Sequence, residues 1–182
     1  MRIIGGTARG RQLVYKSKNL RPTSDKVRES LFNIIRDQVD GCRFLDLCAG
    51  SGAVGLEALS RGAAEAVFIE KFPKLVIQNL QTTGYGRQSQ IMKMDALKAL
   101  DVLVNKKYSF GIIFLDPPYE SDILELSLKK IGASDILKCE GIVVAEHRKT
   151  KEIQETYGSL TLQRQVKYGE TILSFYAIEN RL

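Results

Sequence analysis

Apolar runs of strand length alternate with amphipathic stretches along most of the chain. Five such runs occupy positions 43–47, 66–69, 90–92, 111–115 and 142–145. Between them, apolar residues recur three or four positions apart, which is typical of helices that pack one face on a sheet. This alternation predicts an α/β fold in which a doubly wound, mostly parallel sheet carries helices on both faces.

Capping residues indicate where the helices begin and end. Pro22 and the polar residues after it form a helix-start signal, and apolar residues at helical spacing extend that helix to about Val39. Gly62 and Gly84 stand where helices commonly end. Further helices are predicted at positions 53–61, 73–84, 96–105 and 122–131.

The two ends of the chain have a different pattern. Positions 2–4 and 12–15 are predicted as two short strands of a hairpin that turns through three glycines. Near the other end, apolar residues at 160–166 and 171–178 predict a second antiparallel pair. We therefore expect a basic hairpin extension over residues 1–22 and one α/β domain over residues 23–182.

Length and composition are those of an ordinary globular domain. The chain has 182 residues, of which 44% are hydrophobic and 26% charged. No apolar run approaches the roughly 18 residues of a membrane span, and the N-terminus has no apolar signal core. The three cysteines have no C-x-x-C spacing, which argues against a zinc site and for a reducing compartment. We expect a cytoplasmic protein without a metal ion.

The net charge of +6 is concentrated at the N-terminus. Residues 1–22 hold six basic residues and no acid, whereas residues 23–182 hold 21 of each. The arm is either a solvated basic tail or a contact surface for nucleic acid, because clustered Arg and Lys bind phosphates. The predicted RNA contacts are Arg2, Arg9, Arg11, Arg21 and Arg28.

A glycine loop follows the first predicted strand of the sheet. Positions 50–55 match G-x-G-x-x-G, which lets a cofactor approach the backbone at a helix N-terminus. Asp46 stands four residues before the loop, where a carboxylate repels the pyrophosphate of a dinucleotide but attracts an ammonium group. S-adenosylmethionine has that ammonium group and no phosphate, so it fits the loop better than NAD.

Two further acids follow the next strands. Glu70 ends the second strand, where it can accept hydrogen bonds from ribose hydroxyls, and Asp95 follows the third, where it can accept from the adenine amine. Each acid by itself is as well explained as a helix cap or a solvated strand end. The predicted cofactor-binding residues are Asp46, Cys48, Gly50, Ser51, Gly52, Glu70 and Asp95.

A reactive motif follows the fourth strand. It consists of Asp116, Pro117, Pro118 and Tyr119. The Asp116 carboxylate and the Pro117 carbonyl can accept both N–H bonds of an exocyclic amine and turn its lone pair towards a methyl donor, while Tyr119 stacks on the base. The alternative is that these residues form a proline turn after a strand, with no catalytic role. We predict these four residues as the catalytic group.

These motifs resemble those of bacterial 16S ribosomal RNA guanine-N2 methyltransferases of the RsmD type, almost from end to end. The most specific matches are Arg-Ile-Ile-Gly-Gly at positions 2–6 and Arg-Pro-Thr at 21–23. The others are Asp-Leu-Cys-Ala-Gly-Ser-Gly at 46–52, Asp-Pro-Pro-Tyr at 116–119, Glu-His at 146–147 and Lys-Tyr-Gly at 167–169. Cys48, where the family commonly has Phe, and Phe72, where a polar residue is more usual, depart from the pattern.

The resemblance implies methyl transfer from S-adenosylmethionine to the 2-amino group of guanine 966 of small-subunit RNA. It implies the class I methyltransferase fold, a Rossmann-like sheet of seven strands with a C-terminal antiparallel hairpin. The implied partner is 16S rRNA or the small ribosomal subunit, and we expect a monomer. His147, the one histidine, is predicted to support the end of a strand.

Other functions fit parts of the same sequence. A DNA adenine-N6 methyltransferase uses the same tetrapeptide but usually carries a separate target-recognition region, for which this chain has little room. A protein glutamine methyltransferase more often has Asn in place of Asp116. A non-catalytic RNA-binding protein of ribosome assembly would tolerate loss of Asp116, and an NAD oxidoreductase would not bind S-adenosylmethionine.

Overall fold

A computed structural model describes residues 1–15, 24–119 and 121–179 of the chain. In this part of the protein, one eight-stranded sheet is flanked by six α-helices. The strands are β1 Arg43–Leu47, β2 Glu65–Ile69, β3 Ser89–Met92, β4 Phe110–Leu115, β5 Leu137–Arg148, β6 Thr156–Tyr157, β7 Leu160–Tyr168 and β8 Thr171–Ile178. The helices are α1 Asp25–Ile34, α2 Arg36–Val39, α3 Ala53–Ser60, α4 Lys74–Thr83, α5 Ala96–Asn105 and α6 Ile123–Gly132, with a 3-10 turn at Gly86–Gln88.

The strand order is β3-β2-β1-β4-β5-β8-β7-β6. The first five strands are parallel, and β8, β7 and β6 continue the sheet with antiparallel pairings. The doubly wound sheet and its C-terminal hairpin are thus confirmed. The seven strands that the resemblance implied become eight, because the two-residue strand β6 pairs with the start of β7.

Alternation along the strands divides the core into two layers. Phe44 and Phe68 belong to one buried apolar cluster with residues of α1 to α4, and Leu45 and Val67 belong to the other with residues of α5 and α6. Neighbouring positions of a strand point to opposite faces, so each parallel strand supplies both layers. Both faces of the parallel strands are therefore covered by helices.

The first predicted helix is broken in the structure. Ser24 caps α1 by accepting a hydrogen bond from the Val27 backbone N–H at 3.2 Å, as the sequence indicated. The prediction of one helix to Val39 is wrong, because Ile35 leaves the helical conformation at ψ 12° and a separate turn, α2, follows. Ile35 and Val39 are both buried, so the break directs two apolar side chains into the core.

The N-terminal segment, residues 1–15, packs on α3 and α4. Instead of two regular strands, its described residues form one antiparallel bridge between Arg2 and Gln12. The amides of Ile3, Gly10 and Leu13 donate to backbone carbonyls within the segment. Both oxygens of Glu57 on α3 accept further backbone N–H bonds, from Ile4 and Gly5, each at 2.8 Å. The predicted boundary between the N-terminal extension and the α/β domain, at residue 22, lies outside the described residues, which omit positions 16–23.

Among the described residues, no helix is long and apolar enough to cross a membrane.

We expect the stability of the fold to depend on the charge of Glu57. Its carboxylate is fully buried and also accepts from Arg61 Nε at 2.8 Å and lies 3.7 Å from Arg28 Nε. Glu57→Gln removes the charge facing a buried guanidinium, and we expect a loss of about 3 kcal/mol in the free energy of unfolding. Urea denaturation measures this change.

Glu65→Gln is the matched control. Glu65 pairs with Arg43 at 2.7 Å, but both side chains are about one-third exposed. Solvent weakens such a pair, so we expect a loss below about 1 kcal/mol. Equal losses for the two variants would contradict the role given to the buried carboxylate.

Candidate active site

The carboxyl ends of the parallel strands form one edge of the sheet. β1 pairs with β2 on one side and β4 on the other, so Asp46 lies opposite Phe68 and Phe114. The winding reverses between β1 and β4, and in open α/β sheets the crevice at that point is where ligands bind. The glycine loop leaves β1 and the Asp-Pro-Pro-Tyr motif leaves β4, so both border this crevice.

The glycine loop has the tight geometry that the motif predicted. Gly50 and Gly52 have φ angles of 57° and 78°, in the left-handed region, and Gly52 is the N-cap of α3. A Cβ at Gly55 would lie 2.4 Å from the Phe68 ring. The third glycine therefore allows α3 to pack closely against β2, and the N-terminus of α3 faces the crevice.

Asp46 is a buried carboxyl group at the base of the loop. It is 2% exposed, and its Oδ2 accepts a hydrogen bond from the Gly55 backbone N–H at 2.9 Å. Burial raises the pKa of Asp46 to about 7, the Gly55 bond opposes this rise, and the charge of Glu70 adds to it. A cation bound beside Asp46 would favour its ionised form.

Glu70 holds the loop against the end of β2. Its Oε2 accepts from the Gly50 backbone N–H at 2.8 Å, and its Oε1 accepts from the Phe72 N–H at 2.9 Å. A carboxylate can accept more than one hydrogen bond on each oxygen, so these bonds are compatible with the predicted ribose contact. That contact stays a prediction.

Asp95 is both a helix cap and half of an ion pair. Its Oδ1 accepts from the Leu97 backbone N–H at 3.0 Å, and its Oδ2 lies 2.9 Å from Lys71 Nζ. The hydrogen bond from Lys71 is the main reason that the pKa of Asp95 lies below its usual value. The cap is the alternative that the sequence left open, and the adenine contact stays a prediction.

Cys48 lies on the glycine loop, and its thiol responds to the charges of the predicted acids. Burial raises the pKa of its thiol to about 12, and the negative charges of four carboxylates add to the rise. Those carboxylates belong to Asp116, Asp46, Glu70 and Asp95. Acids that follow or end four different strands therefore all act electrostatically on one thiol of the glycine loop.

The Asp-Pro-Pro-Tyr motif is held from two sides. The Asp116 N–H donates to the Leu47 carbonyl at 3.5 Å, which fastens the motif to β1. The Tyr119 hydroxyl donates to Glu146 Oε1 at 3.5 Å, and the Arg148 guanidinium lies 4.9 Å from the centre of the Tyr119 ring. The orientation of the ring is thus set by β5.

Arg148 was missed by sequence reasoning, and Glu146 entered only through the family resemblance. Both follow the apolar run of β5 two positions apart, so they share one face of the strand at the carboxyl edge. That alternation was a usable signal. Together with Pro117, Pro118 and Tyr119 they line a small pocket next to the motif.

His147 also lines this pocket, and its ring bonds to groups of β5 and β8. Its Nε2 lies 2.8 Å from Ser174 Oγ, its Nδ1 lies 2.9 Å from the Arg148 carbonyl, and it is 2% exposed. Burial lowers the pKa of the imidazole, so the ring is neutral at physiological pH. This placement agrees with the predicted strand-end role.

The basic residues predicted to contact RNA have different surroundings. Arg2, Arg9 and Arg11 are exposed, and Arg11 Nη1 donates to two carbonyls at the end of α4, at 2.9 and 3.0 Å. Arg21 lies outside the described residues. Arg28 is 0% exposed and its Nη2 bonds to Asp25 and to the Arg2 carbonyl, so it has no accessible atom for RNA. The structure thus corrects the prediction for Arg28, which serves the core.

The described ranges contain no group of three or more His, Cys, Asp or Glu side chains arranged to hold a metal ion.

Known proteins resemble the chain along nearly its whole length. A family model described as Conserved hypothetical protein 95 matches residues 1–177. The chain is 41% identical to YlbH of Bacillus subtilis, a candidate rRNA methyltransferase by name, over 97% of this chain and 98% of that protein.

A second relative is the ribosomal RNA small subunit methyltransferase D of Escherichia coli. The identity is 35%, over 98% of this chain and 90% of that protein. The solved structure of yhhF from Escherichia coli, named as a candidate methyltransferase, superimposes with a TM-score of 0.87 at 34% identity and covers 100% of this chain and 99% of its own. The chain therefore belongs to the Conserved hypothetical protein 95 family, which it shares with these methyltransferase relatives.

Proposed function

We propose that this protein transfers a methyl group from S-adenosylmethionine to the exocyclic N2 amine of a guanine in 16S ribosomal RNA. The observation that carries the proposal is the parallel pairing of β1 with β4, which places the glycine loop beside the Asp-Pro-Pro-Tyr motif, with the Asp116 N–H bonded to the Leu47 carbonyl. The names of the relatives, which include a small subunit rRNA methyltransferase, support the substrate class.

The described residues can hold the cofactor without a metal ion. Bound S-adenosylmethionine supplies an electrophilic methyl group on a sulfonium. The ionised Asp46 favours the cofactor's ammonium group, and the α3 N-terminus at Gly52 favours its carboxylate. Cys48 and Ser51 line the loop, Glu70 accepts from the ribose hydroxyls, and Asp95 accepts from the adenine amine.

The catalytic motif acts on the guanine amine by positioning. Asp116 and the Pro117 carbonyl accept the two N–H bonds, so the nitrogen lone pair turns towards the methyl group. The two prolines stiffen this part of the loop, which keeps the carbonyl in place. The methyl–sulfur bond would break as the nitrogen–carbon bond forms, leaving a neutral thioether. The nitrogen would then lose its proton to solvent, so no dedicated base is needed.

Tyr119 holds the target base outside the RNA helix. Arg148 covers one face of its ring, so the base stacks on the other face. A base must leave its helix to reach such a pocket, and stacking on an aromatic ring offsets part of the energy of unstacking.

The N-terminal segment supplies the RNA contact. Arg2, Arg9 and Arg11 are exposed on it, and none of residues 1–22 is acidic. We take 16S rRNA or the small subunit as the partner and the position of guanine 966 as the target. We also propose that the protein acts as a monomer in the cytoplasm.

Transfer of labelled methyl groups tests the reaction and its target. The acceptors are small subunits that lack the mark, matched naked 16S RNA and duplex DNA, and digestion followed by mass spectrometry identifies the methylated base. We expect N2-methylguanine with RNA or subunits and no product with DNA. N6-methyladenine in DNA, or no transfer despite cofactor binding, would contradict the proposal.

Asp116→Ala tests the catalytic assignment in the same assay. Loss of the carboxylate removes one acceptor for the amine, and we expect kcat to fall about 100-fold or more with unchanged cofactor affinity. Asp122→Ala is the matched control, because Asp122 is exposed and its side chain makes no capping bond at the start of α6. Equal methyl transfer by the two variants would contradict the catalytic role proposed for Asp116.

Asp46→Asn separates stability from cofactor binding. The wild-type protein loses stability as pH rises from about 4 to about 7, because the fold disfavours the ionised form of Asp46. The variant lacks this loss, so we expect its Tm at pH 8 to exceed that of the wild type by about 5 °C and the two to converge near pH 4. Thermal scans across this range measure the difference.

The same variant should bind S-adenosylhomocysteine more weakly. Wild-type affinity should fall up to about tenfold per pH unit below pH 7, since Asp46 must lose a proton to meet the ammonium group. The affinity of the variant should be low and flat between pH 5 and pH 8. A wild-type affinity that does not change with pH would contradict this role of Asp46.

Salt titration tests the RNA contact of the N-terminal segment. Arg9→Gln removes one phosphate contact, so the slope of log K against log salt for 16S RNA should fall by about one. Lys98→Gln is the control. Lys98 is exposed on α5, and α5 packs on the core layer opposite to the one that contains residues of the N-terminal segment. An unchanged slope for Arg9→Gln would mean that this part of the segment does not meet RNA.

A further inference from the structure

Asn79 is a buried polar residue on α4 that bonds to two distant segments of the chain. It is 0% exposed. Its Oδ1 accepts from the Val14 backbone N–H at 2.7 Å, and its Nδ2 donates to the Val14 carbonyl at 2.9 Å. The same Nδ2 donates to the Ser51 carbonyl at 2.9 Å. One amide therefore joins the N-terminal segment to the glycine loop.

This bond pattern goes beyond the needs of helix packing. An apolar side chain is the simplest occupant of a buried helix position, because a buried amide destabilises the protein unless its polar atoms are paired. All three bonds of Asn79 go to backbone groups outside α4, 65 and 28 positions away in the sequence. Both donors and the acceptor are thus used to fix the relative position of Val14 and Ser51.

The Ser51 end reaches the proposed cofactor site. The Ser51 carbonyl faces Asn79, and the same peptide unit carries the Gly52 N–H, which donates to the Ala49 carbonyl at 2.7 Å. Gly52 is the N-cap of α3. Rotation of this peptide would therefore disturb the helix N-terminus that is proposed to meet the cofactor's carboxylate.

The Val14 end reaches the proposed RNA contact. Val14 follows Leu13, which is buried and donates to the Met1 carbonyl at 2.9 Å, and the exposed Arg9 and Arg11 lie on the same segment. A local opening of this segment would break the Val14 bonds to Asn79. It would also leave the amide that holds the Ser51 carbonyl without its other two bonds.

We propose that Asn79 is a positioning residue that couples the N-terminal segment to the glycine loop, so that cofactor and RNA each strengthen the binding of the other. The proposal rests on the proposed function, which puts the cofactor at the loop and RNA on the segment. Coupling between two sites is reciprocal: the cofactor raises RNA affinity by the factor by which RNA raises cofactor affinity. The same coupling means that, even when no RNA is bound, the cofactor suppresses local opening of the N-terminal segment.

Hydrogen exchange of the segment's amides tests the coupling without any RNA. The amides of Ile3, Gly10 and Leu13 each donate to a carbonyl within the segment, so their exchange reports its opening. We compare each rate without S-adenosylhomocysteine and with it at saturation. In the wild-type protein, saturation should slow exchange about tenfold, the effect of one hydrogen bond's stabilisation.

Two variants remove the link in different ways. Asn79→Leu keeps the volume but loses all three bonds, and Asn79→Asp keeps an acceptor for the Val14 N–H while losing both donors. In each, the ratio of exchange rates without and with S-adenosylhomocysteine should fall to about one. Gln78→Leu makes the same amide-to-leucine change at the neighbouring exposed position and should keep the wild-type ratio.

The ratio distinguishes positioning from simple support of the fold. Lost packing would speed exchange equally with and without S-adenosylhomocysteine and leave the ratio unchanged, and that result in the Asn79 variants would overturn the proposal. A wild-type ratio of one at saturation would overturn it too. If the ratio behaves as expected but no RNA is methylated, the proposed reaction fails and the coupling stands; absence of S-adenosylhomocysteine binding would remove both.

Discussion

The parallel pairing of β1 with both β2 and β4 is the constraint on which the site depends. It aligns the carboxyl ends of the three strands, and the winding reverses between β1 and β4. Loops that leave the two strands must therefore diverge around a crevice. The glycine loop, Glu70 and the Asp-Pro-Pro-Tyr motif border that crevice because of this topology, although they lie far apart in the sequence.

Buried polar groups connect the N-terminal segment and the loop to this frame. Glu57 collects two backbone N–H bonds of the segment and one bond from Arg61, and Asn79 pairs with both backbone groups of Val14. Such groups stabilise only when every polar atom is matched, so they tie each segment to one position. Asp46 is different, since its burial opposes ionisation and keeps a group of raised pKa beside the proposed cofactor site.

Most of the architecture could be predicted from the sequence because local signals agreed with the fold. Two-sided apolar runs specified the parallel strands, and the glycine motif specified a strand-to-helix turn. The break at Ile35 could not be predicted, since the apolar spacing of α1 continues through it and only the core decides its direction. The start of β5 was missed because its first residues after Leu137 are polar and exposed.

In the predicted site, too, some residues could be identified from the sequence and others could not. Strand-end acids could be identified by position, because the parallel pairing of β1 with β2 and β4 aligns the carboxyl ends of these strands. Arg28 could not be distinguished from the surface arginines by sequence, because its burial depends on the distant Glu57. Arg148 was overlooked because the contact of its guanidinium with the Tyr119 ring joins residues far apart in the sequence, although its alternation with Glu146 along β5 was visible.

A crystal structure of the protein with bound S-adenosylhomocysteine tests the proposed cofactor site. We expect the amino-acid part of the ligand between Asp46 and the α3 N-terminus, the ribose hydroxyls on Glu70, and the sulfur facing Asp116 across the β1–β4 crevice. Contacts to Asp46 are expected directly or through one water. A ligand bound elsewhere, or one with its sulfur directed away from Asp116, would contradict it.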